Sequence, residues 1–228
     1  YGVHLDFKSV HVEGISDITQ DDIIYARELG YRIKHLGIAR RLPNGLDLRV
    51  HPCLVGDDHL LSSVSGVMNA IVVNGDAVGE TLLYGAGAGA QPTASAVIAD
   101  LVDVVRTLTS DPGNRVPHLA FQPAALAAPG IVPLSEIVCA HYLRLTVDDR
   151  PGVLADITRI LGDYQVSIEA IRQQGSADAL GNVPVVIVTH RALEANVAMA
   201  VLEIEALSTI ARAATRIRLE TLEISVDE

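Results

Sequence analysis

The chain has 228 residues, 49% of them hydrophobic and 20% charged, which suits one or two packed domains and excludes disorder as the main state. Its 28 acidic and 17 basic residues leave a formal charge of −11, aromatics are 4% and Trp is absent, so neither the basic stripe nor the stacking platform of a nucleic-acid binder is available. No run of about 18 apolar residues occurs, so no membrane span is expected. The two cysteines, Cys53 and Cys139, cannot build a disulfide framework, and a reducing, cytoplasmic setting is expected.

The chain opens on Tyr1-Gly2-Val3-His4 rather than Met, with no basic start and apolar core of a signal peptide. A piece of a longer protein is the expectation. Thr19-Gln20-Asp21-Asp22 reads as a helix start, a hydroxyl cap followed three residues later by a carboxylate. Ile23, Ile24, Ala26 and Leu29 continue it, and Gly30 ends it. Residues 32–40 alternate as a strand, Pro43-Asn44-Gly45 forms a turn, and 46–50 alternate as its hairpin partner. Two further strands are expected at 70–73, closed by Asn74-Gly75-Asp76, and at 81–84. These antiparallel signals argue for an α+β fold, not a doubly wound sheet.

Gly85-Ala86-Gly87-Ala88-Gly89-Ala90 follows, then a helix whose Ala94, Ile98, Leu101, Val105 and Leu108 line one stripe. Residues 111–137 are rich in Pro, Ala and Gly and predict a linker at a domain boundary. Beyond it, 141–147 reads as a strand, Pro151 sits at a first helical position, and Val153, Leu154, Ile157, Ile160 and Leu161 form one apolar face. Strands are expected at 167–172 and 183–189, a helix at 192–204, and a last strand within 210–221. The order β-α-β-β-α-β is the ferredoxin-like split pattern.

Chemical signals are sparse. Residues 85–90 satisfy G-x-G-x-x-A, but no following strand with an acidic residue about 20 positions on completes a dinucleotide-binding unit. On the residues alone, a glycine turn packing a helix on a sheet explains them as well. His51-Pro52-Cys53 is two ligands short of a metal centre, and none of the eight His forms a close ligand pair, so no metal is expected. Asp57-Asp58 reads as a solvated loop, while Asp148-Asp149 lies at a strand–helix junction. There is no serine nucleophile elbow, Walker loop or CxxC.

Two groups of motifs carry a family resemblance. Residues 143–154, Leu-Arg-Leu-Thr-Val-Asp-Asp-Arg-Pro-Gly-Val-Leu, with Val166-Ser167-Ile168-Glu169, closely resemble an ACT domain, the small amino-acid-binding regulatory domain of metabolic enzymes. Val12-Glu13-Gly14-Ile15, Leu36-Gly37-Ile38-Ala39, Val50-His51-Pro52 and the stretch from Tyr84 to Asp100 resemble the rear half of the catalytic domain of homoserine dehydrogenases. The combination is similar to the long bacterial form. It implies three parts: 1–110 as the C-terminal part of the catalytic domain, 111–137 as linker, and 138–228 as a ferredoxin-like ACT domain after an antiparallel or mixed sheet with helices.

The resemblance further implies NAD(P)-dependent interconversion of L-homoserine and L-aspartate 4-semialdehyde, on the route to threonine, methionine and isoleucine, by the full-length protein. The family's Rossmann domain and its catalytic Asp and Lys would lie upstream of Tyr1. No catalytic residue is therefore expected in this chain, and the chain alone is expected to be inactive. The glycine loop would face the nicotinamide of NADP or NAD, with Gly89 at the contacting position beside Gly87 and Ala88. An effector, threonine or a related amino acid, would bind through Asp149, Gly152, Val153, Leu154 and Ser167. A homodimer or homotetramer is implied. The alternative is a non-catalytic amino-acid-binding ACT protein that regulates or dimerises.

Overall fold

A computed structural model describes residues 1–108, 121–128, 130–173 and 178–221. Its elements are β1 (His11–Val12), α1 (Gln20–Glu28), β2 (Tyr31–Leu42), β3 (Gly45–Gly56), β4 (Met68–Gly75), β5 (Gly79–Ala86), α2 (Ala90–Leu108), β6 (Val138–Asp148), α3 (Val153–Asp163), β7 (Ile168–Gln173), β8 (Asn182–Thr189), β9 (Ala192–Leu193), α4 (Glu194–Glu205) and β10 (Ile210–Leu219). Every helix and strand expected from the sequence is present, with β1 and β9 in addition. By contacts, one compact unit is formed by Tyr1–Leu5 and His59–Ala128, the other by Asp6–Asp58 and Pro129–Leu222.

The second unit holds a mixed sheet whose main path runs β1-β3-β10-β6-β8-β7, with β2 on β3 and β9 on β6. The stretch β10-β6-β8-β7 is antiparallel throughout and carries α3 and α4 on one face. The core there is Leu143, Leu145 and Val147 of β6, Val183, Val185 and Ile187 of β8, and Ile157, Ile160, Leu161, Val197, Ala200 and Ile204 of the helices. The period-two alternation of β6 and β8 is what separates this core from the opposite face. On that opposite face Tyr142, Val186, Val188 and Ile217 pack with Leu54 of β3 and Ala26 of α1. Both sheet faces are covered, which is why β8 is buried almost continuously.

The ACT-like strands do not stand apart from the N-terminal segment. β10 pairs in parallel with β3, Arg218 beside Cys53 and Leu219 beside Leu54. β3 is zipped to β2 over twelve residue pairs by the Pro43-Asn44 hairpin, with Gly45 at φ +151°. An added Cβ at Gly45 would run into the Gly130 carbonyl, so glycine is required there by close approach. The division at 110 and 138 follows the motifs, whereas the contacts join 6–58 to the strands after 138. Of the expected linker, 111–120 and 129 lie outside the described residues. Ala127 bridges Val3, and Ile131 bridges Leu46.

In the first unit, β4 and β5 form an antiparallel hairpin paired from Met68–Ala86 to Gly75–Gly79. The helical stripe expected after it exists as α2, but no described residue of α2 is buried. Ile98, Leu101, Val105 and Leu108 are 58%, 56%, 63% and 77% exposed. Among the described residues, no helix is long and apolar enough to cross a membrane.

Candidate functional site

The glycine loop joins β5 to α2. The amides of Gly87 and Ala88 both donate to the Val67 carbonyl, at 3.0 and 3.4 Å, and Thr93 N–H donates to the Gly89 carbonyl. A side chain at Gly87 would collide with Asn69. Gly87 is thus a packing glycine, and the amides of Gly87 and Ala88 are spent within the fold. Gly89 differs: its φ is +117°, and an added Cβ would meet only Pro92 at ordinary contact distance. Its requirement is backbone conformation, not space. It stands immediately before the exposed first turn of α2, where helix N–H groups point outward.

The ACT turn connects β6 to α3. Asp148 N–H donates to the Thr209 carbonyl and Asp149 N–H to that of Gly181, which fixes the end of the strand. Gly152, at φ +97°, is the N-cap of α3 and gives no side-chain cap. The first-turn amides of α3 therefore face the turn without a capping oxygen. Asp149 is exposed, and its Oδ1 accepts from Gln173 Nε2 at 3.4 Å. Gly152 and Ser167 are exposed as well, and the Ser167 carbonyl accepts from His190 N–H. Val153 is 3% exposed and lies in the core, with Leu154 packed against it. Of the five expected effector residues, Asp149, Gly152 and Ser167 face water, while the Val153 side chain is directed inward and has only its backbone to offer.

A third feature is a buried charged seam along β3, β10 and the start of α4. Arg218 Nη2 donates to Glu194 Oε1 at 2.6 Å and its Nη1 to Glu13 Oε2 at 2.8 Å. Arg216 Nη1 lies 3.2 Å from Glu194. Arg49 pairs with Asp47 at 2.7 Å and with Glu220 at 2.9 Å, and Arg40 reaches Glu220 at 2.8 Å. Four carboxylates thus meet four guanidiniums, and the seam is formally neutral. Neutrality is what makes burial tolerable, because an unpaired buried charge is costly. Glu194 opens α4, so the helix dipole favours its charge as well. The only available clue was the spacing Asp47-x-Arg49-x-His51-x-Cys53 and Arg216-x-Arg218-x-Glu220, which puts each set on one strand face; alternation by itself assigns such residues to water.

Burial would raise the Glu13 carboxyl, but Arg218 and His11 hold it down at about 2. For Glu194, likewise, His141 and Arg218 outweigh burial and keep it well below the usual range. Burial, with Arg218 and Arg49 nearby, lowers His51 to about 4. Arg49 can only donate to His51 Nε2, at 3.1 Å, so Nδ1 bears the proton and donates to the Pro52 carbonyl. Burial pushes the Cys139 thiol up to about 12, which makes it a poor nucleophile.

His51, Cys53 and Glu220, and likewise Cys139, His141 and Glu194, bring donor atoms within 4.8 Å of one another. Glu220 and Glu194 already hold guanidiniums, and Arg49 points at His51. A divalent cation would meet arginine in both places, so these sets read as ion-pair networks.

A fourth arrangement fixes α1. Asp22, fully buried, is the third helical residue of a reciprocal cap with Thr19. It accepts from Thr19 N and Oγ1, from Tyr142 Oη at 3.0 Å, and from Arg144 Nε and Nη2 at 2.6 and 2.9 Å.

The comparisons agree with both motif groups. Residues 1–102 match the homoserine dehydrogenase family model and residues 141–206 the ACT domain model. The chain is 53% identical over 222 residues to the homoserine dehydrogenase of Pseudomonas aeruginosa, covering 97% of itself and 51% of that protein. It is 49% identical to that of Neisseria gonorrhoeae, again over 51% of the relative. A crystal structure of a homoserine dehydrogenase from Thiobacillus denitrificans superposes with a TM-score of 0.87 at 54% identity, over 98% of this chain and 50% of that one. The chain spans about half the length of the curated relatives it matches. The chain joins a segment of the homoserine dehydrogenase domain to an ACT domain.

Proposed function

We propose that the protein containing this chain interconverts L-homoserine and L-aspartate 4-semialdehyde with NAD or NADP in the cytoplasm, and that the ACT turn senses threonine or a related amino acid. The observation that carries this reading is the union of the two domain types in one chain, at 53% identity across nearly its whole length.

The chemistry is hydride transfer at the alcohol carbon, with a proton moved at the oxygen. The nicotinamide, when bound, takes or gives the hydride. This chain's contribution at that site is the glycine loop. Gly89 fits a close backbone approach, while Gly87 and Ala88 hold the loop against Val67. The residues that move the proton are assigned to the upstream half of the enzyme. At the ACT turn, uncapped amides of α3 suit a carboxylate, and Asp149 Oδ1 suits an ammonium. The exposed edge strand β7 suits pairing with a second copy. Association into dimers or tetramers is part of the proposal.

Assay of the 228-residue chain for homoserine oxidation tests the division of labour. No turnover is expected with either cofactor, and activity is expected once the chain is extended to the length of its relatives. Turnover by the chain alone would place catalytic groups within it and overturn the assignment.

A further inference from the structure

The tip of the β2–β3 hairpin places a reactive dipeptide at the surface. Pro43 and Asn44 are its turn residues, since the ladder closes on Leu42 opposite Gly45. Asn44 is exposed. Among the described residues the hydrogen bond of its side chain is Nδ2 to Glu136 Oε2, 3.4 Å long and exposed. The residue after it has to be glycine, because a Cβ at Gly45 would run into the Gly130 carbonyl and its φ is +151°. The fold therefore sets, beside a freely exposed carboxamide, the residue whose main-chain nitrogen is least shielded.

That pairing permits ring closure. Once base removes the Gly45 amide proton, the nitrogen attacks Asn44 Cγ. A bond forms between Gly45 N and Cγ, the bond from Cγ to Nδ2 breaks, and ammonia leaves. Water then opens the cyclic imide at either carbonyl. One opening leaves aspartate; the other leaves isoaspartate, whose main chain runs through the side chain and is one methylene longer. Water is the only co-reactant, and nothing is oxidised or reduced.

We propose that Asn44-Gly45 is a deamidation site, and that its conversion loosens the clamp between the hairpin tip and the segment that leads into β6. In that clamp Leu46 N–H donates to the Gly130 carbonyl at 3.0 Å, and Val132 N–H to the Leu46 carbonyl at 2.8 Å. Leu42, on the other side of the turn, packs against Val132, Ile137 and Cys139. Conversion puts a carboxylate opposite Glu136, where the structure has a donor, and like charges repel. Isoaspartate also lengthens a two-residue turn whose geometry fixes the register of Leu46, two residues on. Asn74-Gly75 repeats the dipeptide, but there both residues are held in the β4–β5 ladder, opposite Glu80 and Gly79. Asn44 lies outside its ladder, so ring closure at Asn74 has to break more pairing.

Peptide mapping of the 228-residue chain, aged at mildly alkaline pH and resolved into asparagine, aspartate and isoaspartate forms, tests the site. Asn44 is expected to be lost before Asn74, with isoaspartate as a product. Amide hydrogen exchange tests the clamp. In the converted chain, exchange at Leu46 and Val132 is expected to rise by about fivefold, the equivalent of one lost hydrogen bond. Asn44→Gln, an exposed change whose longer side chain closes a ring far less readily, is expected to keep both amides at the fresh-chain rate through the same ageing. Asn44 surviving as long as Asn74 overturns the site. Unchanged exchange at Leu46 and Val132 in the converted chain, or an equal rise in aged Asn44→Gln, overturns the clamp.

Discussion

Arg218 and His51 govern the pH behaviour and stability of the buried seam. Arg218 is 1% exposed between Glu194 and Glu13. Arg218→Met takes the guanidinium from both Glu194 and Glu13, leaving Glu194 only His141 and Arg216, and is expected to cost about 3–5 kcal/mol in urea denaturation, the range for breaking a buried pair on one side. His51 has an ordinary value of 6.5 and lies near 4 in the fold. The unfolded chain therefore binds the extra proton between those values, so stability is full above pH 6.5 and falls as pH drops toward 4. Glu13, ordinarily at 4.5 and held at about 2, adds a second loss from pH 4.5 downward, because the unfolded carboxylate protonates first. Thermal melts from pH 7.5 to 3 are expected to show a midpoint that declines in this order. His51→Asn is expected to flatten the upper limb, and an unchanged limb would mean that His51 does not titrate as described. None of these groups was legible as buried in the sequence. Asp47 and Arg49 alternate with Leu46 and Leu48, and that pattern looks the same for a wet strand face as for one covered by a complementary strand.

Helices and strands were far more legible, because their signals are local. Thr19 and Asp22 form the reciprocal cap that their spacing implies, and Asn44-Gly45 sets the register of a hairpin twelve pairs long. What spacing could not supply is the second task of Asp22, since Tyr142 and Arg144 reach it from 120 and 122 residues away. Asp22→Ala removes the cap and leaves Arg144, 15% exposed at its side chain, without its partner. Its expected cost of roughly 2–4 kcal/mol exceeds the value of about 1 for a cap alone. A loss no larger than the cap in chemical denaturation would show that the ion pair contributes nothing. In the glycine loop, Gly89→Ala forces an L side chain into φ +117° and is expected to cost on the order of 1–3 kcal/mol. Gly89 was legible as a special position, but for its backbone conformation; the steric requirement falls on Gly87, where Asn69 closes in. The apolar stripe of α2 was read correctly as a stripe, yet Leu101 and Val105 stay more than half exposed. Periodicity reports that a helix has an apolar face and not what covers it.

Across the whole chain, the β-α-β-β-α-β order after residue 138 was readable because each element is short, periodic and bounded by turn residues. The parallel pairing of β10 with β3 was not, for it joins strands more than 160 residues apart through two residue pairs, and long-range pairing leaves no local trace. That pairing ties the segment 6–58 to the ACT strands, so both belong to one continuous sheet. At the Asp149 turn this sheet is proposed to carry an amino-acid site. Calorimetric titration of L-threonine and related amino acids into the 228-residue chain, its Asp149→Ala variant and its Gly152→Val variant tests it most directly. Saturable binding to the wild type is expected, weaker binding by about 1–3 kcal/mol without the Asp149 acceptor, and none with Gly152→Val, where a branched side chain at φ +97° disturbs the amides of α3. Binding that survives both substitutions at full strength, or no binding of any amino acid to the wild type, would contradict it.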